Sequence, residues 1–179
     1  LVDYVEDRDL WVKKLAYTDE INAFIACLEF DFNVWDTWNN ETAGYAKNAG
    51  RTAIMKTEQY VREVCKNVYF VDIIGNNDRN IFGDFETDTY PREKYEWFKA
   101  IPVVNICQVD CSEVLHELCK LNPERDFSLY WFKRQDGLYQ YGLRSIGDFD
   151  CSTVAKLFGG GGHKNAAGFQ LKYLLEELK

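Results

Sequence analysis

The sequence predicts an α/β fold in which a mixed β-sheet is flanked by helices and preceded by a helical linker. Three observations predict it. The first third of the chain carries apolar residues at helical spacing only. In the remainder, short runs rich in β-branched and aromatic residues alternate with amphipathic helical segments, which is typical of an α/β sandwich. The length of 179 residues and the hydrophobic content of 46% are enough to bury a sizeable core.

Helical spacing of apolar residues marks most of the predicted helices. They are two short helices between 19 and 39 broken near Asp31, a long helix over 41–67, a helix over 112–121, a short helix over 150–158 and a last helix ending at Lys179. Ser112 is the expected cap of the fourth. The long helix forms despite Gly44 and Gly50, which lower its intrinsic propensity.

β-Rich runs bounded by turn residues mark the strands. They cover 68–74, 101–107, 126–133, 138–145 and 166–171. The third and fourth form a hairpin across Gln135-Asp136-Gly137. Residues 80–100 lack a clean period and are interpreted as an excursion that ends in a short helical candidate over 92–98.

Composition limits the environment and the partners. No run of 18 apolar residues exists and the acidic start does not resemble a signal peptide, so we expect a cytoplasmic protein without membrane contact. Six cysteines without a CxxC pair predict reduced, buried thiols. The net charge of −8 opposes binding to a long polyanion, so a nucleic-acid ligand should be short. Because the chain starts at Leu1 and its only methionine is Met55, we interpret it as part of a longer protein.

The segment GGGGHKNAAG, residues 159–168, carries the strongest chemical signal. Glycines leave backbone N–H groups unshielded and accept unusual dihedrals, so the loop suits phosphate oxygens. His163, Lys164 and Asn165 add side-chain donors beside it. The alternative is a tight or flexible turn without a ligand.

The same segment, extended to GGGGHKNAAGF, resembles the signature of the DHH-associated C-terminal domain of DHH phosphoesterases. Upstream, YGLRS at 141–145 and DCSTVA at 150–155 resemble a strand and a helix of that domain, in the same order and spacing. The similarity covers about 68–171. It implies an α/β domain that binds the substrate of a phosphodiesterase.

The start of the chain resembles a second part of the same family. YVEDRDLW at 4–11 is similar to the end of the catalytic DHH domain in oligoribonuclease-like and cyclic-nucleotide-phosphodiesterase-like members. The resemblance implies that 1–67 is the tail of that domain plus a helical linker, and that 68–179 is the substrate-binding domain. It also implies that Asp7, or alternatively Asp9, is a ligand of a divalent metal, usually manganese. Without the family context, two acids in a loop indicate only a solvated or capping pair.

The resemblance assigns roles to residues of the second part. His163 is the expected catalytic residue, because it can donate to a phosphate oxygen. The expected phosphate- or substrate-binding residues are Arg144, Ser145, Gly160, Gly161, Gly162, His163 and Asn165. Arg144 can pair with phosphate through two parallel hydrogen bonds, although an arginine in an acidic protein can equally pair with a surface carboxylate.

The pattern is incomplete for an enzyme. The chain has no Asp-His-His triplet and only two histidines, of which His116 lies mid-helix and is interpreted as structural. We therefore expect the chain to need a separate N-terminal DHH domain for hydrolysis, and by itself it need hold no metal; association into a homodimer stays open. A nucleic-acid-binding module without catalysis, as in alanyl-tRNA synthetase-like proteins, and an interaction domain with the glycine loop as a hinge are the alternatives. The sequence does not distinguish RNA, single-stranded DNA, cyclic dinucleotide, mononucleotide bisphosphate and polyphosphate as substrates.

Overall fold

A computed structural model of the chain describes residues 2–9, 12–38, 43–75, 80–82, 96–107 and 110–174. The helices are α1 (Val2–Asp9), α2 (Thr18–Ile25), α3 (Phe32–Asp36), α4 (Ala43–Cys65), α5 (Cys111–Leu121) and α6 (Cys151–Leu157). The strands are β1 (Tyr69–Gly75), β2 (Asn80–Phe82), β3 (Glu96–Asn105), β4 (Ser128–Lys133), β5 (Tyr139–Arg144), β6 (Gly161–His163) and β7 (Ala166–Leu171). None of the described helices is both long enough and apolar enough to cross a bilayer.

The chain divides into two compact units, Leu1–Tyr60 and Val61–Lys179, with the boundary inside α4. The sequence-based boundary after residue 67 lies at the end of the same helix. The first unit is helical, with a small core of Ile21, Phe24, Ile25 and Ala46. An edge-to-face contact between Phe24 and Trp38, 4.5 Å between ring centroids, extends that core.

The second unit is built on a mixed sheet, as predicted. Its described strands lie in the order β2-β1-β3-β4-β5-β7-β6, and every neighbouring pair is antiparallel except β3 and β4. Parallel strands need a crossover connection, and α5 supplies it between β3 and β4. The predicted hairpin joins β4 to β5, with Gly137 at a φ of 84° in its turn.

Helices cover both faces of this sheet. On one face, α6 packs Val154 and Ala155 against Leu143 and Phe169, all of them buried. On the other, α5 covers β4, and the Ser128 hydroxyl donates to the Leu115 carbonyl at 2.8 Å. Beyond α5, the second face of β5, β7 and β6 carries Gly142, Gly161, Ala166 and Gly168 beside Arg144 and His163.

Four details differ from the sequence-based expectations. The helical candidate at 92–98 is wrong for its described part, because β3 begins at Glu96 and pairs with β1 there. Ser112 does not cap α5; the cap position is Asp110, in a left-handed conformation without a side-chain cap bond. Gly161 and Gly162 belong to a short edge strand rather than to a loop. All six cysteines are free, but Cys27 and Cys107 are exposed rather than buried. The last predicted helix lies mostly outside the described residues, as does most of the 80–100 excursion.

Candidate phosphate-binding site

A pocket of about 300 Å³ opens on the face of the sheet beside the start of α5. This volume is at the small end of ligand sites. Its lining combines one charged side chain with small, apolar and neutral polar residues: Cys111, Ser112, Leu115, Tyr130, Gly142, Leu143, Arg144, Gly161, Gly162, Ala166, Ala167 and Gly168. Three residues named from the sequence, Arg144, Gly161 and Gly162, therefore meet at one pocket.

The strand register places Arg144 and His163 on one face of the sheet, in a single row. Arg144 of β5 lies opposite Ala166 of β7, and Ala166 lies opposite His163 of β6. Directly opposed residues of antiparallel strands project to the same face. With neighbouring strands about 5 Å apart, Arg144 and His163 lie about 10 Å apart, and only the methyl group of Ala166 separates them. The exposed His163 is not among the residues that line the pocket, but it lies two strands away from Arg144 on the same face of the sheet.

Arg144 has a donor that no described residue uses. Its Nε atom is buried and has no hydrogen-bond partner, and no carboxylate of the described residues forms an ion pair with it. The positive charge of Arg144 also acts on nearby His116: burial lowers the pKa of His116, and the charges of Lys120 and Arg144 lower it further. A buried unpaired donor on a cation is costly unless an anion reaches it. The guanidinium is therefore placed to receive an anionic ligand.

The glycine segment is shaped by close contact with β7. Gly159, two residues after the end of α6, has a φ of 73°. A Cβ at Gly160 would lie 2.1 Å from the Gly168 carbonyl oxygen, so Gly160 lies beneath the pocket rather than in its lining. A Cβ at Gly161 would meet no atom within 4 Å. The packing against β7 thus requires a glycine at position 160, whereas Gly161 leaves the pocket open.

Ser145 and Asn165 are bonded to each other rather than placed in the pocket lining. The Asn165 amide donates to the Ser145 hydroxyl at 2.9 Å and to the Gly147 carbonyl at 3.1 Å, and the Ser145 hydroxyl donates to the Phe149 carbonyl at 2.8 Å. Lys164 adds an ion pair to Asp148 at 2.9 Å. These bonds tie the turn after His163 to the loop after Arg144.

Asp7 lies in the first unit, where its carboxylate organises the loop between α1 and α2. It is 7% exposed and accepts hydrogen bonds from the backbone N–H groups of Lys14 at 2.8 Å and Leu15 at 3.1 Å, and from the Thr18 hydroxyl. The Thr18 bond above all, helped by the two backbone bonds, lowers the pKa of Asp7, although burial opposes the shift. Both oxygens are thus occupied by donors. Among the described residues, no three His, Cys, Asp or Glu side chains are grouped so as to hold a metal ion, and the surroundings of Asp7 do not fit one.

We expect Asp7→Asn to lower the melting temperature of the chain at pH 7, because an amide cannot accept all three bonds. Since the pKa of Asp7 lies below its ordinary value of 3.8, the stabilisation is present above about that pH and is lost as the pH falls through the lowered value. Thermal unfolding of both proteins between pH 7 and pH 3 measures the difference, which should shrink at the acid end.

Asp9→Asn, which changes an exposed carboxylate of the same helix, is the matched control and should leave the melting temperature unchanged. Manganese is added in parallel. If manganese raised the melting temperature of the unmodified chain but not that of Asp7→Asn, Asp7 would be a metal ligand and the loop-organising role would be wrong.

The sequence did not assign Tyr130, Cys111, Ser112 or Gly142 to the site, although all four line the pocket. Cys111 and Ser112 arrive through the β3–α5–β4 crossover, which sequence spacing does not reveal. Gly142 did carry a signal. A glycine inside a strand marks the close approach of another group, and here a Cβ at Gly142 would lie 2.2 Å from the Tyr130 ring.

Comparison with known proteins shows that the C-terminal part of the chain is similar to a known domain family. Residues 103–179, less than half of the chain, match the model of the DHHA1 domain. An uncharacterized protein of Acanthamoeba polyphaga mimivirus is 28% identical over 176 residues, which cover 92% of this chain and 35% of that protein. The chain thus spans about a third of the length of this curated relative.

Two solved structures are similar in shape. One is an exopolyphosphatase-related protein from Bacteroides fragilis, with 15% identity, a TM-score of 0.43, and coverage of 78% of this chain and 41% of that chain. The other is a pGpG-specific phosphodiesterase from Vibrio cholerae, with 13% identity, a TM-score of 0.30, and coverage of 40% and 27%. At such scores the similarity in shape is loose, so the DHHA1 match is the more informative comparison. The C-terminal part of the chain, residues 103–179, is thus similar to DHHA1 domains, the domains associated with DHH phosphoesterases.

Proposed function

We propose that this chain is the substrate-binding part of a DHH-family phosphodiesterase that acts on short oligonucleotides or nucleotides. One observation carries the proposal: Arg144 lines a small pocket with a buried Nε that no described residue bonds. The family match of residues 103–179 supports a domain associated with phosphoesterases. The expected ligand group in this pocket is a phosphate.

The proposed contacts follow from the row that Arg144, Ala166 and His163 form. A phosphate above Ala166 receives hydrogen bonds from the Arg144 guanidinium on one side. His163, on the other side, donates to a non-bridging oxygen and stabilises the charge that develops there. The open surface of Gly161 lets the phosphate approach the backbone. Ser145 and Asn165, bonded to each other, support the loops on either side rather than contact the ligand.

Hydrolysis is proposed to reside in the complete protein. Divalent metal, in this family usually manganese, supplies an activated water and charge stabilisation at phosphorus when bound. Since the surroundings of Asp7 do not fit a metal ion, no step of the reaction is assigned to these residues through a metal. The role proposed for the chain is recognition, with metal ligands supplied by a DHH domain.

The net charge of the chain favours a short ligand. With 29 acidic and 21 basic side chains, the net charge of −8 opposes binding to a long phosphate backbone. A ligand with one terminal phosphate, by contrast, needs only the Arg144 site. This distinguishes the proposal from a general nucleic-acid-binding module.

The test is a calorimetric titration of a 5′-phosphorylated dinucleotide, with its unphosphorylated form as the control ligand. We expect the phosphorylated form to bind more tightly, His163→Ala to weaken that binding, and no mononucleotide to be released with or without manganese. Equal binding of the two forms would contradict recognition of the terminal phosphate, because the internucleotide phosphate is present in both. Release of mononucleotide would contradict the division between recognition and hydrolysis. Binding of longer RNA without dependence on the phosphate end would favour the non-catalytic module.

A further inference from the structure

The pocket has a second row of residues next to the phosphate row. Tyr130 of β4 lies opposite Gly142 of β5, Gly142 opposite Gly168 of β7, and Gly168 opposite Gly161 of β6. Along each strand, the residue of this second row is two positions away from the residue of the Arg144 row. Side chains two positions apart in a strand point to the same face, so both rows face the pocket, about 7 Å apart. The three glycines have no side chains to cover this row, and Tyr130 lies at its β4 end.

Tyr130 presents a polar group to this row. It is 8% exposed, and a Cβ on Gly142 would meet the Tyr130 hydroxyl at 2.9 Å, so the hydroxyl lies directly above the glycine backbone. The thiol of Cys111, which also lines the pocket, lies close enough to Tyr130 to contribute to the shift of its pKa. The two side chains come from β4 and α5 and meet at the end of the pocket away from His163.

Both groups of this pair are uncharged at neutral pH. Burial, together with the nearby Cys111, raises the pKa of Tyr130. Burial also raises the pKa of Cys111, and Glu113 adds to that shift while the nearby Tyr130 opposes it. A hydroxyl and a thiol in this state can donate to or accept from a neutral polar group, but they cannot compensate a second negative charge.

The charge of the lining also favours an uncharged ligand group in this part of the pocket. Arg144 is the single charged side chain among the lining residues. A chain of linked phosphates would place its next charged group against the glycine row, Leu115 and Tyr130, where no cation of the described lining compensates it. The uncharged part of a phosphate ester meets matching chemistry there.

From these observations we propose that Tyr130 and Cys111 form a second subsite of the pocket, which contacts the sugar or base of the nucleoside whose phosphate binds in the Arg144 row. The inference rests on the proposed function and deepens it. It selects a nucleoside phosphate over inorganic polyphosphate as the ligand class.

The test compares three probes, namely a 5′-phosphorylated dinucleotide, inorganic phosphate and tripolyphosphate, by calorimetry. Tyr130→Phe keeps the ring that packs on Gly142 and removes only the hydroxyl. We expect it to weaken dinucleotide binding about fivefold, the effect of one hydrogen bond, and to leave phosphate binding unchanged. Tyr139→Phe is the matched control, because Tyr139 packs against the core on the other face of the sheet. It should change neither affinity.

A second measurement needs no variant. Saturating dinucleotide should slow alkylation of Cys111 by iodoacetamide, whereas Cys27 and Cys107, which are exposed outside the pocket, should react at unchanged rates. Inorganic phosphate should give no such protection. Deoxyribose and altered-base forms of the dinucleotide then separate a sugar contact from a base contact, since only one of them should lose the Tyr130 dependence.

The outcomes separate the two proposals. If Arg144→Ala weakens both phosphate and dinucleotide binding while Tyr130→Phe changes neither and Cys111 is not protected, the subsite is wrong and the phosphate site stands. Tripolyphosphate binding as tightly as the dinucleotide would also overturn the subsite. If Arg144→Ala has no effect on any probe, the proposed function itself fails.

Discussion

Arg144→Ala is expected to weaken binding of a 5′-phosphorylated dinucleotide by about tenfold to a hundredfold. Hydrogen bonds to charged groups contribute about 1.5–3 kcal/mol, and the guanidinium is the single charged side chain in the pocket lining. Its Nε bonds no described residue, so truncation removes no described side-chain hydrogen bond from the folded chain. We therefore expect the melting temperature to stay the same or rise, while calorimetry shows the loss of affinity.

Two further variants make the result specific. Arg144→Lys keeps the positive charge but loses the paired donors, and should bind with intermediate affinity. Arg134→Ala removes the same charge from the hairpin turn at the other end of β4 and β5, where Arg134 pairs with Asp136 at 2.8 Å, and should leave binding unchanged. Equal losses in Arg144→Ala and Arg134→Ala would indicate a general charge effect and contradict a phosphate site at Arg144.

Gly160→Ala is expected to destabilise the chain by about 1–3 kcal/mol or more, the range for overpacking. The added Cβ would lie 2.1 Å from the Gly168 carbonyl oxygen and 2.5 Å from the Phe169 Cβ, so β7 itself would have to move. Rotation of a flexible side chain cannot relieve a contact with backbone. Urea-induced unfolding measures this cost directly.

The neighbouring Gly161→Ala is the matched control, with the same substitution one residue further along. Its Cβ would meet no atom within 4 Å, so stability should change by less than about 0.5 kcal/mol. Because Gly161 lines the pocket, the methyl group should nevertheless weaken dinucleotide binding. If both variants unfolded at the same urea concentration, the packing contact between Gly160 and β7 would not exist in solution.

The sheet and the Arg144 side of the pocket were predictable because their signals are local. The β4–β5 hairpin follows from turn chemistry at 135–137. Arg144 and the glycine segment are recognisable by motif and order, and the register of β5, β7 and β6 then brings them together. Family resemblance also named Ser145 and Asn165, whose bonds to each other no motif could indicate.

The features that could not be predicted from the sequence depend on contacts between segments that are far apart in the chain. β3 starts at Glu96 because it pairs with β1, and this pairing overrides a local pattern that suggested a helix over 92–98. Cys111 reaches Tyr130 only through the crossover that makes β3 and β4 parallel. Asp7 illustrates the reverse case, since an acid-rich segment predicts a metal ligand as readily as a hydrogen-bond acceptor until the donors around it are known; the segment is also the helix α1 rather than a loop.

The bonds between Ser145, Asn165 and the loop at 147–149 have a consequence for the thermodynamics of recognition. They fix the segments that follow Arg144 and His163 before any ligand arrives. A preorganised site loses little conformational entropy on association, so more of each hydrogen bond remains as affinity. Binding should accordingly leave amide exchange in residues 145–151 and 161–166 almost unchanged, as in a rigid receptor rather than one that closes around its ligand.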